Sequence, residues 1–230
     1  AATGSLTYTP VSHANGSAVI TVTVTDNGGT ANSGVNSTTR TFTVAVTAVN
    51  DIPVINAVSD PTAILEDAGS QTINLSGIGD GDADADQAIT VTATSNNTSL
   101  IPNPTVTYTP SAATGSLAYT PVSNANGSAV ITVTVVDDGG TANSGVNSTT
   151  TTFTVAVTAV NDEPVANAQS VTVLEDVKTS ITLTGDDGDA EATQSLTYIL
   201  TGLPGTGSLS ETSGGSAIVS GALPLTLSDA

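Results

Sequence analysis

The side chains able to do chemistry in this sequence are almost all carboxylates. Of 230 residues, 21 are Asp or Glu and two, Arg40 and Lys178, are Lys or Arg, for a net charge of -19. The acids are not scattered. Asp60, Glu211 and Asp229 aside, they fall in five groups: Asp26 with Asp137 and Asp138; Asp51 with Asp162 and Glu163; Glu66-Asp67 with Glu175-Asp176; Asp80, Asp82, Asp84 and Asp86; and Asp186, Asp187, Asp189 and Glu191. Carboxylates this close repel one another, and a hard dication turns the same set into oxygen ligands. The competing reading is that Asp and Asn favour turns and stay solvated there.

The rest of the composition excludes more than it offers. Nucleic acid and anionic membrane surfaces are bound through Lys and Arg, which are nearly missing here. No apolar run is long enough to span a bilayer. Ala1 to Pro10 lack the charged-then-apolar pattern of an export signal, so a secreted parent would contribute a mature or internal segment here. Without cysteine there is neither a disulfide framework nor a thiolate zinc site. His13 is the only histidine, which rules out three-ligand zinc; a Ser-His-Asp triad would need that His, whose equivalent in the second copy is Asn124, and the chain lacks a nucleophile elbow. Paired carboxylates can hydrolyse glycosides, but these pairs recur along the chain instead of defining one pocket. The expectation is a protein that is not an enzyme.

The segments that carry the acids belong to a repeat. Residues 1–54 align with 112–165 without a gap and differ only at Thr7, His13, Thr25, Asn27, Arg40 and Ile52, where the second copy has Ala118, Asn124, Val136, Asp138, Thr151 and Glu163. A weaker echo joins Ile64-Leu65-Glu66-Asp67 to Val173-Leu174-Glu175-Asp176, and Gly81-Asp82-Ala83-Asp84 to Gly188-Asp189-Ala190-Glu191. The expected organisation is the C-terminal part of a first repeat at 1–53, a complete repeat at 54–163 and the N-terminal part of a third at 164–230, as though cut from a longer array.

Within the repeat, apolar residues alternate with threonine: Ile20 to Thr25, its copy Ile131 to Val135, then Phe42, Val44 and Val46, Ile73 and Leu75, and Ile89, Val91 and Ala93. Period 2 argues half-buried strands, and no segment carries a helical stripe. Residues 137–152, rich in Gly, Asn and Thr, read as one long loop. About seven short strands in roughly 110 residues read as an all-β, immunoglobulin-like sandwich.

That topology places the acids. If the first strand leaves the N-terminal pole, the second (Ser70 to Ser76) returns to it and delivers Asp80 to Asp86 there. The last strand (Thr152 to Val157) runs away from the same pole, so Asp137 lies there too, beside the linker Asn50-Asp51-Ile52-Pro53. Glu66-Asp67 falls at the opposite pole, beside the linker Asn161-Asp162-Glu163-Pro164, where the third repeat brings Asp186 to Glu191.

This layout resembles the cadherin repeat, and more closely the cadherin-like tandem repeats of large bacterial surface proteins and adhesins. Glu66 and Glu175 match the family's early Glu. Asp82-Ala83-Asp84 matches its Asp-x-Asp loop, with Asp187 and Asp189 as the corresponding pair. Asp26 and Asp137 match the Asp before its glycine-rich hairpin, and both linkers match Asn-Asp-x-Pro. The resemblance implies Ca2+ between successive domains, held by Asn50, Asp51, Asp80, Asp82, Asp84 and Asp137 at one junction. At the other the set is Glu66, Asp67, Asn161, Asp162, Asp187, Asp189 and Glu191. The family's mid-domain Asp-Arg-Glu has no counterpart, since residues 95–130 hold no acid, which implies fewer ions per junction. An EF-hand is not supported: a loop opening at Asp80 has Ala85 where glycine is required and Val91 where glutamate is.

The expected function is that of an extracellular spacer in a cell-surface adhesin, stiffened by calcium at its linkers. Its partners would be adjacent repeats and other copies of the protein, without nucleic acid or membrane insertion, and its adhesive ligand is not encoded here. The alternatives are a subunit of an extracellular filament or surface layer, and an accessory spacer of a secreted enzyme.

Overall fold

A computed structural model describes residues 3–83, 86–189, 194–211 and 215–227. Among them the chain is nearly all β, with three single-turn 3-10 helices, and no helix is long and apolar enough to cross a membrane. Strands β1 (Gly16–Thr25) and β2 (Ser37–Val46) form a separate antiparallel hairpin. The complete repeat holds β3 (Ile64–Leu65), β4 (Gln71–Ser76), β5 (Thr90–Ser95), β6 (Thr105–Tyr108), β7 (Thr114–Tyr119), β8 (Gly127–Val136) and β9 (Ser148–Thr158). They build a four-stranded sheet in the order β3-β9-β8-β5 and a three-stranded sheet in the order β4-β7-β6. All pairs are antiparallel except β3 with β9.

The core follows from the alternation. Ile131, Val133 and Val135 of β8 and Phe153 and Val155 of β9 are buried with Leu75, Leu100, Ile101, Leu117 and Tyr119 in one cluster. The intervening threonines face outward and stack across strands: Thr92 and Thr150 flank Thr134, and Thr94 and Thr152 flank Thr132. Each such β-branched pair contributes roughly 0.2–1 kcal/mol.

One expectation needs correction. The segment 137–152 is not one long loop, because β9 starts at Ser148 and its threonines 149–152 pair with Val135 back to Thr132. Threonine suits a pleated ladder well enough to extend the strand. Among the described residues, 54–158 alone build two sheets over a shared core. The flanks hold the β1–β2 hairpin and two short ladders, β10 (Val165–Ala166) with β11 (Gly185–Asp186) and β12 (Ile199–Leu200) with β13 (Leu225–Thr226).

Candidate metal centres at the two junctions

The first junction is assembled from three elements. The linker brings Asn50, whose Nδ2 donates to Asp137 Oδ1 (3.0 Å) and to the Val146 carbonyl (2.7 Å). Both partners are acceptors, so the amide orientation is fixed and Asn50 Oδ1 points elsewhere. Val146 N–H donates back to the Asn50 carbonyl. The hairpin before β9 brings Asp137, which also accepts from Gly139 N–H (3.0 Å), the side-chain-to-backbone bond that closes an Asx turn. The loop after β4 brings Asp80 and Asp82, folded around Gln87: its backbone N–H donates to Asp80 Oδ2 (2.9 Å) and its Nε2 to Asp82 Oδ2 (2.7 Å). Gly81, at φ 77°, lets this loop close on the linker, where a methyl group would lie 2.0 Å from the Ile52 carbonyl oxygen.

Three side-chain oxygens here are buried without a hydrogen-bond partner: Asn50 Oδ1, Gln87 Oε1 and Asp137 Oδ2. The first two flank one spot, since a methyl at Gly139 would sit 1.9 Å from Asn50 Oδ1 and 2.5 Å from Gln87 Oε1. Asp137 itself is 3% exposed. Asp51 is brought to the linker but turned to another partner, with its Oδ2 2.8 Å from His13 Nδ1. Asp138 caps Ala88 N–H across the junction (2.8 Å). Asp84 lies outside the described residues.

The second junction repeats the loop and changes the filling. Gln194 N–H donates to Asp187 Oδ2 and its Nε2 to Asp189 Oδ2 (2.6 Å). Gly188, again at φ 77°, approaches the Glu163 carbonyl as Gly81 approaches that of Ile52. Glu66 is fully buried, with Oε1 accepting from Val160 N–H (2.6 Å) and Oε2 unpartnered. Asp162 Oδ2 is also buried and unpartnered. Desolvation raises the Asp162 carboxyl above its ordinary pKa, and repulsion from Asp67, Glu66 and Asp189 raises it further. Those four acids therefore share one region. Asn161 Nδ2 donates to the Asp162 carbonyl (3.0 Å). Glu191 lies outside the described residues.

Sequence reasoning missed the two glutamines. Asp80-Gly81-Asp82-Ala83 with Gln87 and Asp187-Gly188-Asp189-Ala190 with Gln194 have the same spacing, and that echo was the available signal. It also passed over Asp60, which accepts from Thr154 N–H (2.6 Å) at the sheet edge.

The arrangement suits a hard cation through mixed oxygen ligands. Among the described residues no group of three or more His, Cys, Asp and Glu side chains could hold a metal ion, so a cation at either junction would need amide oxygens as well, which calcium commonly takes. At both poles the unpartnered atoms are oxygens, two of them on the nearly or fully buried carboxylates Asp137 and Glu66. A buried carboxylate without a compensating charge costs several kcal/mol, and the chain has only two basic side chains to offer. A water molecule could donate a hydrogen bond to these oxygens but brings no charge.

No family model matches the chain, and no curated protein matches it. Among solved structures, domains 4 and 5 of the S-layer protein SbsC align at 17% identity and a TM-score of 0.29, over 53% of this chain and 62% of that one. Domains 1–6 of the same surface layer protein align at 16% identity and 0.29, over 81% and 22%. A longer SbsC chain, residues 31–844, aligns at 19% identity and 0.27, over 89% and 24%. The chain spans less than two thirds of each of these, and TM-scores this low do not establish a common fold.

Proposed function

We propose that this chain is a structural, non-catalytic segment of an extracellular surface protein, built of cadherin-like repeats whose joints are set by calcium. The observation that carries this reading is the set of unpartnered oxygens at both poles of the complete repeat: Asn50, Gln87 and Asp137 at one, Glu66 and Asp162 at the other. A dication at each pole would neutralise the buried carboxylates and tie the linker to the loop at 80–87 or 187–194. It would thereby fix the angle between successive repeats. Without it, motion about the linker is the default for domains that share little interface. Extracellular calcium modules bind at ~10⁻⁴–10⁻³ M, so such a joint is rigid outside a cell and loose before export.

Such a spacer fits a surface-layer or filament subunit as well as an adhesin stalk. The chains it resembles weakly are S-layer proteins.

The test is a thermal melt and small-angle scattering of the full chain in millimolar calcium and in chelator. The reading expects a higher melting temperature and a longer, narrower particle with calcium. Identical curves would leave the acidic loops as solvated turns.

A further inference from the structure

The two junctions offer different charges to the same kind of ion. At the first, the amide orientations are fixed by what their nitrogens do. Asn50 Nδ2 donates to Asp137 and to the Val146 carbonyl, and Gln87 Nε2 donates to Asp82. Neither amide can turn over without setting oxygen against oxygen. Their two oxygens are therefore held facing one spot beside Gly139. The carboxylate oxygen buried there without a partner is Asp137 Oδ2. Other acids of this junction are engaged: Asp80 accepts from Gln87 N–H, Asp138 accepts from Ala88 N–H, and Asp51 faces His13 Nδ1 at 2.8 Å.

The second junction leaves two carboxylates in that condition, through Glu66 Oε2 and Asp162 Oδ2. Asp162 is the repeat's copy of Asp51, and the copy of His13 is Asn124. The two loops hold the same left-handed backbone, with His13 at φ 57° and Asn124 at φ 55°, a conformation both residue types tolerate. What differs is the side chain it presents. The imidazole reaches the first linker's aspartate, while Asp162 Oδ2 has no partner. Oxygen sites for calcium are tuned by the number of charged ligands. A carboxylate that already shares a hydrogen bond must exchange it to bind an ion.

We propose that the two junctions fill in order, the one after the complete repeat first, and that His13 is the positioning residue that weakens the other by holding Asp51. This rests on the cation reading and adds a sequence to it. As calcium rises, the linker at 161–164 is fixed while the linker at 50–53 still moves, so the chain stiffens joint by joint. The single histidine is thereby given a role: it sets apart two sites whose loops are otherwise copies.

The experiment is a calorimetric calcium titration of the full chain in one buffer, for wild type, Glu66→Gln, Asp137→Asn and the reciprocal exchanges His13→Asn and Asn124→His. Wild type should show two phases, about tenfold or more apart in dissociation constant. Glu66→Gln should remove the tighter phase and Asp137→Asn the weaker one. His13→Asn should tighten the weaker phase by about threefold or more and leave the tighter one in place. Asn124→His should loosen the tighter phase alone. In chelator the melt of His13→Asn should match wild type, because His13 and Asp51 lie outside the core of the complete repeat. Two sites of equal affinity, or a tighter phase lost with Asp137→Asn, would overturn the proposal while leaving the cation reading intact. So would a His13→Asn titration that superimposes on wild type. No calcium binding at all would overturn both.

Discussion

At the junction before the complete repeat the unpartnered oxygens belong to Asn50, Gln87 and Asp137; at the junction after it they belong to Glu66 and Asp162. The scaffold is common to both: a left-handed glycine seated on a linker carbonyl and a glutamine that ties two aspartates together. The filling differs. Two of three orphan acceptors at the first junction are neutral amides, and Asn50 is clasped by the hairpin through Val146. At the second junction both are carboxylates, within the field of Asp67 and Asp189. Shared geometry with unequal charge means the first junction is held largely by hydrogen bonds, while the second gathers carboxylates that those bonds leave unneutralised.

The comparison can be broken hardest at the glycines. Gly81→Ala forces a left-handed alanine into the Ile52 carbonyl and should destabilise the complete repeat by about 3 kcal/mol or more, read by denaturant unfolding. Gly188→Ala makes the same clash with Glu163 outside that core, so it should leave the repeat's unfolding nearly unchanged. Next in size is calcium itself. At a concentration of about a hundred times the dissociation constant, each occupied site should add roughly 2.7 kcal/mol, seen as a shift of the melt.

Glu66→Gln sharpens the contrast, because its effect should change sign. In chelator it removes one charge from a crowded set while keeping an acceptor for Val160 N–H, and should stabilise by about 1 kcal/mol. In calcium it removes a ligand and should lower the melt.

The smallest effect is on pH. Asp162 has a folded pKa raised above its unfolded value. Its contribution is therefore fully present below the unfolded value and lost as pH rises through the folded one. In chelator, Asp162→Asn should flatten that part of the stability–pH curve.

The gathering of acids at both junctions was legible in the sequence. Glu66, Asp137 and Asp162 stand out because acids are few in kind, grouped and repeated, and alternation fixed which strands carry them to which pole. The amide half was not. Gln87 becomes a site residue only when its loop folds back on Asp80 and Asp82, and glutamine has no turn or charge signature to announce that. Strands β6 and β7 were passed over for a similar reason: Pro102, Pro104 and Gly115 interrupt their patterns, and long-range pairing with β4 makes them strands. The reading of 137–152 as loop failed because threonine is at home both in turns and in ladders.

The most direct test of the central claim is a calorimetric calcium titration of the full chain against Asp137→Asn and Glu66→Gln. The account predicts saturable binding at ~10⁻⁴–10⁻³ M, with each substitution removing the site at its own pole and sparing the other. No saturable binding, or binding that both variants leave intact, would contradict it.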